Sequence, residues 1–226
     1  MSSSQEILSR IREALQEPAP RQHHSSVSVD QDGQPPSGVQ RWMPPVGDDL
    51  VSQLDLFAKN SADLKTEFHL LPDKESLRLK LVEIARVEGW KLVGSHAGSL
   101  TQETLNGFPI PVFYTSSSYA AVELEKCDAG ITECEGLVAQ TGSVLITNRS
   151  SGGRALSVLP PHHVVLVSRE QMVRDLATAY ALLKSRYGSD YPSLICFITG
   201  PSRTGDIERI LVLGAHGPKR LTILCY

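Results

Sequence analysis

Three runs in this chain are apolar without any polar alternation: HHVVLV at 162–167, LICFI at 194–198 and LTILC at 221–225. A half-exposed strand alternates apolar and polar residues, so runs of this kind read as strands covered on both faces. Helical spacing lies between and before them. Leu50, Val51, Leu54 and Phe57 share one face in 48–59, and Leu77, Leu81, Ile84 and Ala85 share another in 74–88. Behind a Ser168/Gln171 capping box, Met172, Val173, Leu176, Ala177, Tyr180 and Leu183 line a third. Covered strands alternating with helices predict an α/β fold: a mostly parallel sheet with flanking helices. Further strands are expected at 66–70, in WKLVGS (90–95) and in PVFYT (111–115), with helices in 116–127 and in DIERILVLG (206–214). GIT (130–132), GLVAQTG (136–142) and SVLIT (143–147) follow one another too closely for crossovers and predict a small antiparallel element.

The first 47 residues read differently. Residues 1–17 carry Ser3 and Glu6 in capping-box spacing, then Ile7, Leu8, Ile11, Ala14 and Leu15, and predict an amphipathic helix. Residues 18–47 hold six of the fourteen prolines with polar filler, too little apolar surface to offset the entropy of ordering, and read as a flexible linker. The α/β domain is expected at 48–226.

Charge and cysteine usage narrow the function classes. Lys and Arg number 22 against 25 Asp and Glu, a net charge of −3, so there is no basic stripe for nucleic acid. No apolar stretch reaches the ~18–20 residues of a membrane span, and MSSSQEILSR has no apolar signal region. A cytoplasmic protein is expected. Cys127, Cys134, Cys196 and Cys225 form no CxxC pair, so neither a disulfide framework nor a metal or iron–sulfur site of the chain's own is expected.

Three segments could carry chemistry. In ITGPSRTGDIERI (198–210) a covered strand enters a loop of Thr199, Gly200, Pro201, Ser202, Arg203, Thr204 and Gly205. If that strand lies in the parallel sheet, its carboxyl end is where ligands bind. Backbone N–H groups, hydroxyls and the Arg203 fork would then suit a small anion. The plainer alternative is a capped turn, with Thr204 or Asp206 closing the helix start. GPSRT nearly matches a GxSxG nucleophile elbow, but Thr204 replaces the second Gly and no acid stands suitably placed. In GITECEGLVAQTGSVLITN (130–148), Glu133 and Glu135 are candidates for general base or nucleophile, and Thr141-Gly142-Ser143 marks a tight polar turn. Exposed acids and a simple hairpin are the alternatives. In LGAHGPKRL (213–221), His216 beside Gly217 is a candidate for ligand binding or proton transfer. His162 and His163 sit next to each other in a strand, so they face opposite sides and make poor co-ligands for a metal.

Taken together, GIT (130–132), AQTGSVLI (139–146), HHVVLV (162–167), TGPSRTGDIE (199–208) and GAHGPKRL (214–221) resemble the LUD-domain family, in its order and spacing. The resemblance spans about residues 65–226. It implies a fold like that of the ribose-5-phosphate isomerase, glucosamine-6-phosphate deaminase and CoA-transferase group. It also implies a part in oxidising L-lactate to pyruvate beside iron–sulfur protein subunits. This chain would be the cluster-free accessory subunit, binding no cofactor itself, able to oligomerise and to hold a small anionic ligand. The other reading kept open is a stand-alone enzyme of isomerase or acyl-CoA transferase type acting on a phosphorylated or carboxylated small molecule. One departure stands out: Gln140 occupies the position before the TG pair where the family pattern has an acid, which puts a carboxylate role there in doubt.

Overall fold

The computed structural model describes residues 9–10, 45–115, 121–204, 212–213 and 217–226, with Thr204, Val212 and Leu213 as backbone only. The chain divides into two units, Met1–Trp42 and Met43–Tyr226. Of the first, Ser9 and Arg10 are helical, within the span expected as a helix. The rest of that helix and residues 18–44 of the expected linker lie outside the described residues.

The second unit opens with α1 (Leu50–Asp63), β1 (Glu67–Leu70), α2 (Lys74–Glu88), β2 (Val93–Ser95), α3 (Ser99–Leu105), β3 (Val112–Tyr114) and α4 (Ala121–Glu125). Then come β4 (Ala129–Thr132), β5 (Gly136–Val138), β6 (Ser143–Thr147), β7 (His162–Val167), β8 (Met172–Val173) and α5 (Leu176–Tyr187). β9 (Ile195–Ile198), β10 (Arg203–Thr204), β11 (Val212–Leu213) and β12 (Arg220–Cys225) complete it. Six strands form an all-parallel sheet in the order β1-β12-β7-β4-β2-β3. A second, mixed sheet runs β8-β5-β6-β9, with β5, β6 and β9 antiparallel.

The two sheets explain the unbroken apolar runs. One face of the parallel sheet, with Val93, Ala129, Ile131, Val164, Leu166 and Leu224, packs on Leu77, Leu81, Ile84 of α2 and Leu100, Leu105 of α3. The other face, with Val165, Val167, Leu221, Ile223 and Cys225, packs on Leu54 and Phe57 of α1 and on Leu137, Val144 and Ile146 of the mixed sheet. α5 covers the outer side of the mixed sheet, Ala179 and Leu183 against Val138 and Leu145. Helix, sheet, sheet and helix therefore stack as layers, and both sheets are covered on both faces.

Three helices start on an aspartate whose carboxylate accepts the N–H three residues on: Asp49 from Ser52, Asp73 from Ser76 and Asp175 from Thr178. The Asp175→Ala variant is expected to lose about 1 kcal/mol, read as a lower denaturant midpoint with an unchanged m-value.

Four expectations are corrected. Of the strands expected to form an antiparallel element, only GLV (136–138) and SVLIT (143–147) pair that way, while GIT lies in β4, a parallel strand between β7 and β2. The Ser168/Gln171 capping box exists, but it closes a single 3-10 turn, Arg169–Gln171; Met172 and Val173 are strand, and the helix begins only at Leu176 behind its own Asp175 cap. β9 lies in the mixed sheet, antiparallel to β6, and not in the parallel sheet. Its apolar run arises because α5 covers Phe197 while the parallel sheet covers Cys196 and Ile198. Within the stretch expected as a helix at 206–214, Val212–Leu213 is a strand paired with Arg203–Thr204.

Candidate functional site

Two of the three singled-out segments meet at the C-terminal end of α1. Gly142, at φ +65°, backs onto Asn60 and Leu64, and Gly200, at φ +94°, backs onto Leu64. Both glycines take left-handed conformations that let backbone lie directly on the helix end. Asn60 fastens the first turn by donating to the carbonyls of Ala139 and Gln140 (2.9 and 3.1 Å). Arg203 fastens the second loop by donating to the Leu64 carbonyl at the helix C-cap. Across the join, Ser143 Oγ donates to Thr141 Oγ1 (2.7 Å) and, with its one proton so committed, accepts from Thr199 Oγ1 (2.8 Å).

Beyond the join the loop turns over a crevice of about 330 Å³ between the two sheets. Ile146, Cys196 and Ile198 come from the mixed sheet, His163 and Leu221 from the parallel sheet, and Thr199, Gly200, Pro201, Ser202, Gly217 and Pro218 from the loops. The Ser202 N–H donates to the Pro218 carbonyl (2.9 Å) and ties those loops together. Arg154, Ser157, Val158 and Leu194 complete the lining. Thr199, Gly200, Ser202 and Gly217 are thus brought to one place from the sequence-based set, while Thr141, Gly142, Ser143 and Arg203 stand behind it. The Thr204 side chain, Gly205 and His216 lie outside the described residues.

His163 is fully buried and shares a hydrogen bond with Thr132 Oγ1 (2.8 Å). Burial, and then the neighbouring His162, push its pKa down to about 3, so it lines the crevice as a neutral ring. His162 faces the other side of the sheet, edge-on to Trp90 and bonded to Thr222, as period-two strand geometry requires.

The two candidate carboxylates go elsewhere. Glu135 is 3% exposed and accepts from Thr147 Oγ1 (2.7 Å), Tyr187 Oη and the Arg186 guanidinium. Burial raises its pKa, but those three donors together outweigh burial and hold it below the ordinary glutamate value. So placed, it clamps α5 to the mixed sheet. Glu133 stands at the carboxyl end of β4, where its Oε1 accepts from the Thr101 N–H (2.9 Å) and hydroxyl (3.1 Å) of α3. Its own N–H donates to His96 Nε2 (3.2 Å) at the end of β2. From β2 the chain runs outward to β3 and returns on the other side with β4, so His96 and Glu133 flank the topological switch point of the parallel sheet.

Sequence reasoning missed His96, Arg154 and Ser157. His96 stands alone in a polar stretch with no spacing to mark it. Arg154 and Ser157 belong to GGRALS, a turn that looks like any solvated connection until β7 and β9 are seen to lie on either side of it.

A model of the LUD domain matches residues 54–226. Lactate utilization protein C of Oceanobacillus iheyensis is 33% identical over 102 residues, 44% of each chain. That of Halalkalibacterium halodurans is 34% identical over 115 residues, 50% of this chain and 49% of its own. The chain spans about half the length of the curated relatives it matches. The crystal structure of a DUF162 family protein from Deinococcus radiodurans aligns with a TM-score of 0.62 over 79% of this chain and 99% of that one. At 20% identity that likeness is one of fold. The matched residues include both sheets and every segment that lines the crevice, and the chain belongs to the LUD-domain family.

Proposed function

We propose that this chain serves lactate utilisation as the cluster-free subunit of an iron–sulfur system that oxidises L-lactate to pyruvate, holding a small anionic ligand in the inter-sheet crevice. The observation that carries the reading is kinship with proteins named lactate utilization protein C, beside a LUD-domain match whose residues include the segments that build the crevice. The thiols support it. Cys134 and Cys225 lie in the inter-sheet core and Cys127 in a separate cluster with Leu124 and Leu156. Burial pushes Cys127 and Cys225 up to about 11. Electrons in such a system would travel through partner chains. Among the described residues no helix is long and apolar enough to cross a membrane.

The test is a deletion in the chain's own host, paired with purification of the tagged full chain from cells grown on L-lactate. Growth on L-lactate should fail, and chains carrying iron and acid-labile sulfide should co-elute. Wild-type growth of the deletion strain would sink the proposal.

A second reading is a stand-alone enzyme of isomerase or acyl-CoA transferase type, favoured by the His96–Glu133 pair at the switch point. That reading expects turnover of a sugar phosphate or CoA thioester by the purified chain alone, abolished in Glu133→Gln.

A further inference from the structure

We propose that the crevice is a binding site for 2-hydroxy acids with a hydrocarbon chain longer than that of lactate: the carboxylate at Arg154, the hydroxyl at Ser157, the chain between the sheets. The inference rests on the ligand-holding part of the function proposed above and names the class of molecule held.

The walls set the body of the ligand. Ile146, Val158, Leu194, Cys196, Ile198 and Leu221 make the crevice predominantly apolar, and its 330 Å³ lies within the range of pockets that enclose ligands much larger than a three-carbon acid. A ligand gains there mainly by burying hydrocarbon.

The polar groups set the head. Arg154 is exposed and lines the crevice. One of its N–H groups donates to the Ser193 carbonyl (2.9 Å), which holds the guanidinium across from Leu194. Its remaining N–H groups make no other bond among the described residues and present the planar fork that fits a carboxylate. A single arginine balances a monoanion better than a phosphate dianion. Ser157 is 3% exposed, and its hydroxyl has no hydrogen-bond partner among the described residues. Nor is it one of the hydroxyls sealed from any opening, which among the described residues are Ser61 and Thr66. A buried hydroxyl that is neither paired nor sealed opens onto the space it lines, and a hydroxyl on the ligand would satisfy it. His163 adds a neutral ring surface and no competing charge.

Calorimetric titration of the full chain with lactate, 2-hydroxybutanoate, 2-hydroxyhexanoate and 2-hydroxyoctanoate tests this. Affinity should rise about fourfold for each methylene, which is the ~0.8 kcal/mol of burying one CH₂ converted at about 1.4 kcal/mol per tenfold. Arg154→Gln, at an exposed position, should weaken every acid about tenfold and leave binding of 1-hexanol unchanged. Ser157→Leu should close the crevice to all of them. A flat chain-length series, or acid binding indifferent to Arg154→Gln, would overturn the proposal. Neither result depends on growth or co-elution, so this inference and the lactate-system reading fail separately.

Discussion

The Glu135→Ala variant should lose about 3 kcal/mol of stability, the low end for breaking a buried ion pair, because Arg186 is half exposed and can rehydrate. Three donors converge on that carboxylate, and two of them, Tyr187 and Arg186, close α5. Removing it takes the shortest partner (2.7 Å) from the wholly buried Thr147 hydroxyl, which keeps only its local bonds within 147–150 and a long one to Tyr187, and releases the end of α5 from the mixed sheet. A pH signature separates the clamp from simple packing. The folded-state pKa lies below the ordinary value, so at acid pH the native chain binds fewer protons here than the unfolded chain does. The carboxylate's contribution is therefore complete above roughly pH 4.3 and drains away as pH falls through the lower folded-state pKa. Urea melts from pH 7 to pH 3 should show a steeper acid loss in the wild type than in Glu135→Gln. Parallel acid limbs, or a loss below about 1 kcal/mol in Glu135→Ala, would remove Glu135 from this role.

That glutamate shows where reading from sequence stops. One of two acids flanking a cysteine in GITECEGLV, Glu135 carries no sign of whether it meets water, a substrate or an arginine; its three partners lie 12 to 52 residues further on. Local patterns fared better. Helical spacing placed α1 and α2, and HHVVLV and LTILC are central strands of the parallel sheet, because amphipathic periodicity and double-faced burial leave their mark within a few residues. LICFI left the same mark for a different reason. An apolar run tells that a strand has neighbours on both faces, and in the mixed sheet α5 and the parallel sheet supply them, though at this edge they cover Cys196, Phe197 and Ile198 only in part and leave Ile195 exposed. The misplacement mattered for the site. The loop after β9 does not leave the carboxyl end of a parallel strand; it gains its place by closing a crevice between sheets. The switch point itself, at His96 and Glu133, follows from strand order, which no single segment encodes.

The Gly130→Ala variant should be strongly destabilising for a change of one methyl group, and its effect should reach the crevice. Gly130 is central in the parallel sheet, paired to His163 on one side and Gly94 on the other. A Cβ there would come closer than 3.0 Å to the Leu156 backbone carbonyl, a distance real Cβ atoms do not adopt. Rotating a side chain cannot relieve a clash with backbone, so either β4 or the 154–159 segment must move. β4 is bonded to strands on both sides, which makes the segment the part that yields. Overpacking of this kind costs about 3 kcal/mol or more when backbone has to shift. The displaced residues include Arg154 and Ser157, so a variant that still folds should also bind 2-hydroxyhexanoate at least about tenfold more weakly, the equivalent of ~1.4 kcal/mol. Thermal melts and titration of the same preparation provide both readouts. A variant as stable as wild type would show that Gly130 is not held against Leu156. A destabilised variant with wild-type binding would place the ligand away from the 154–159 segment.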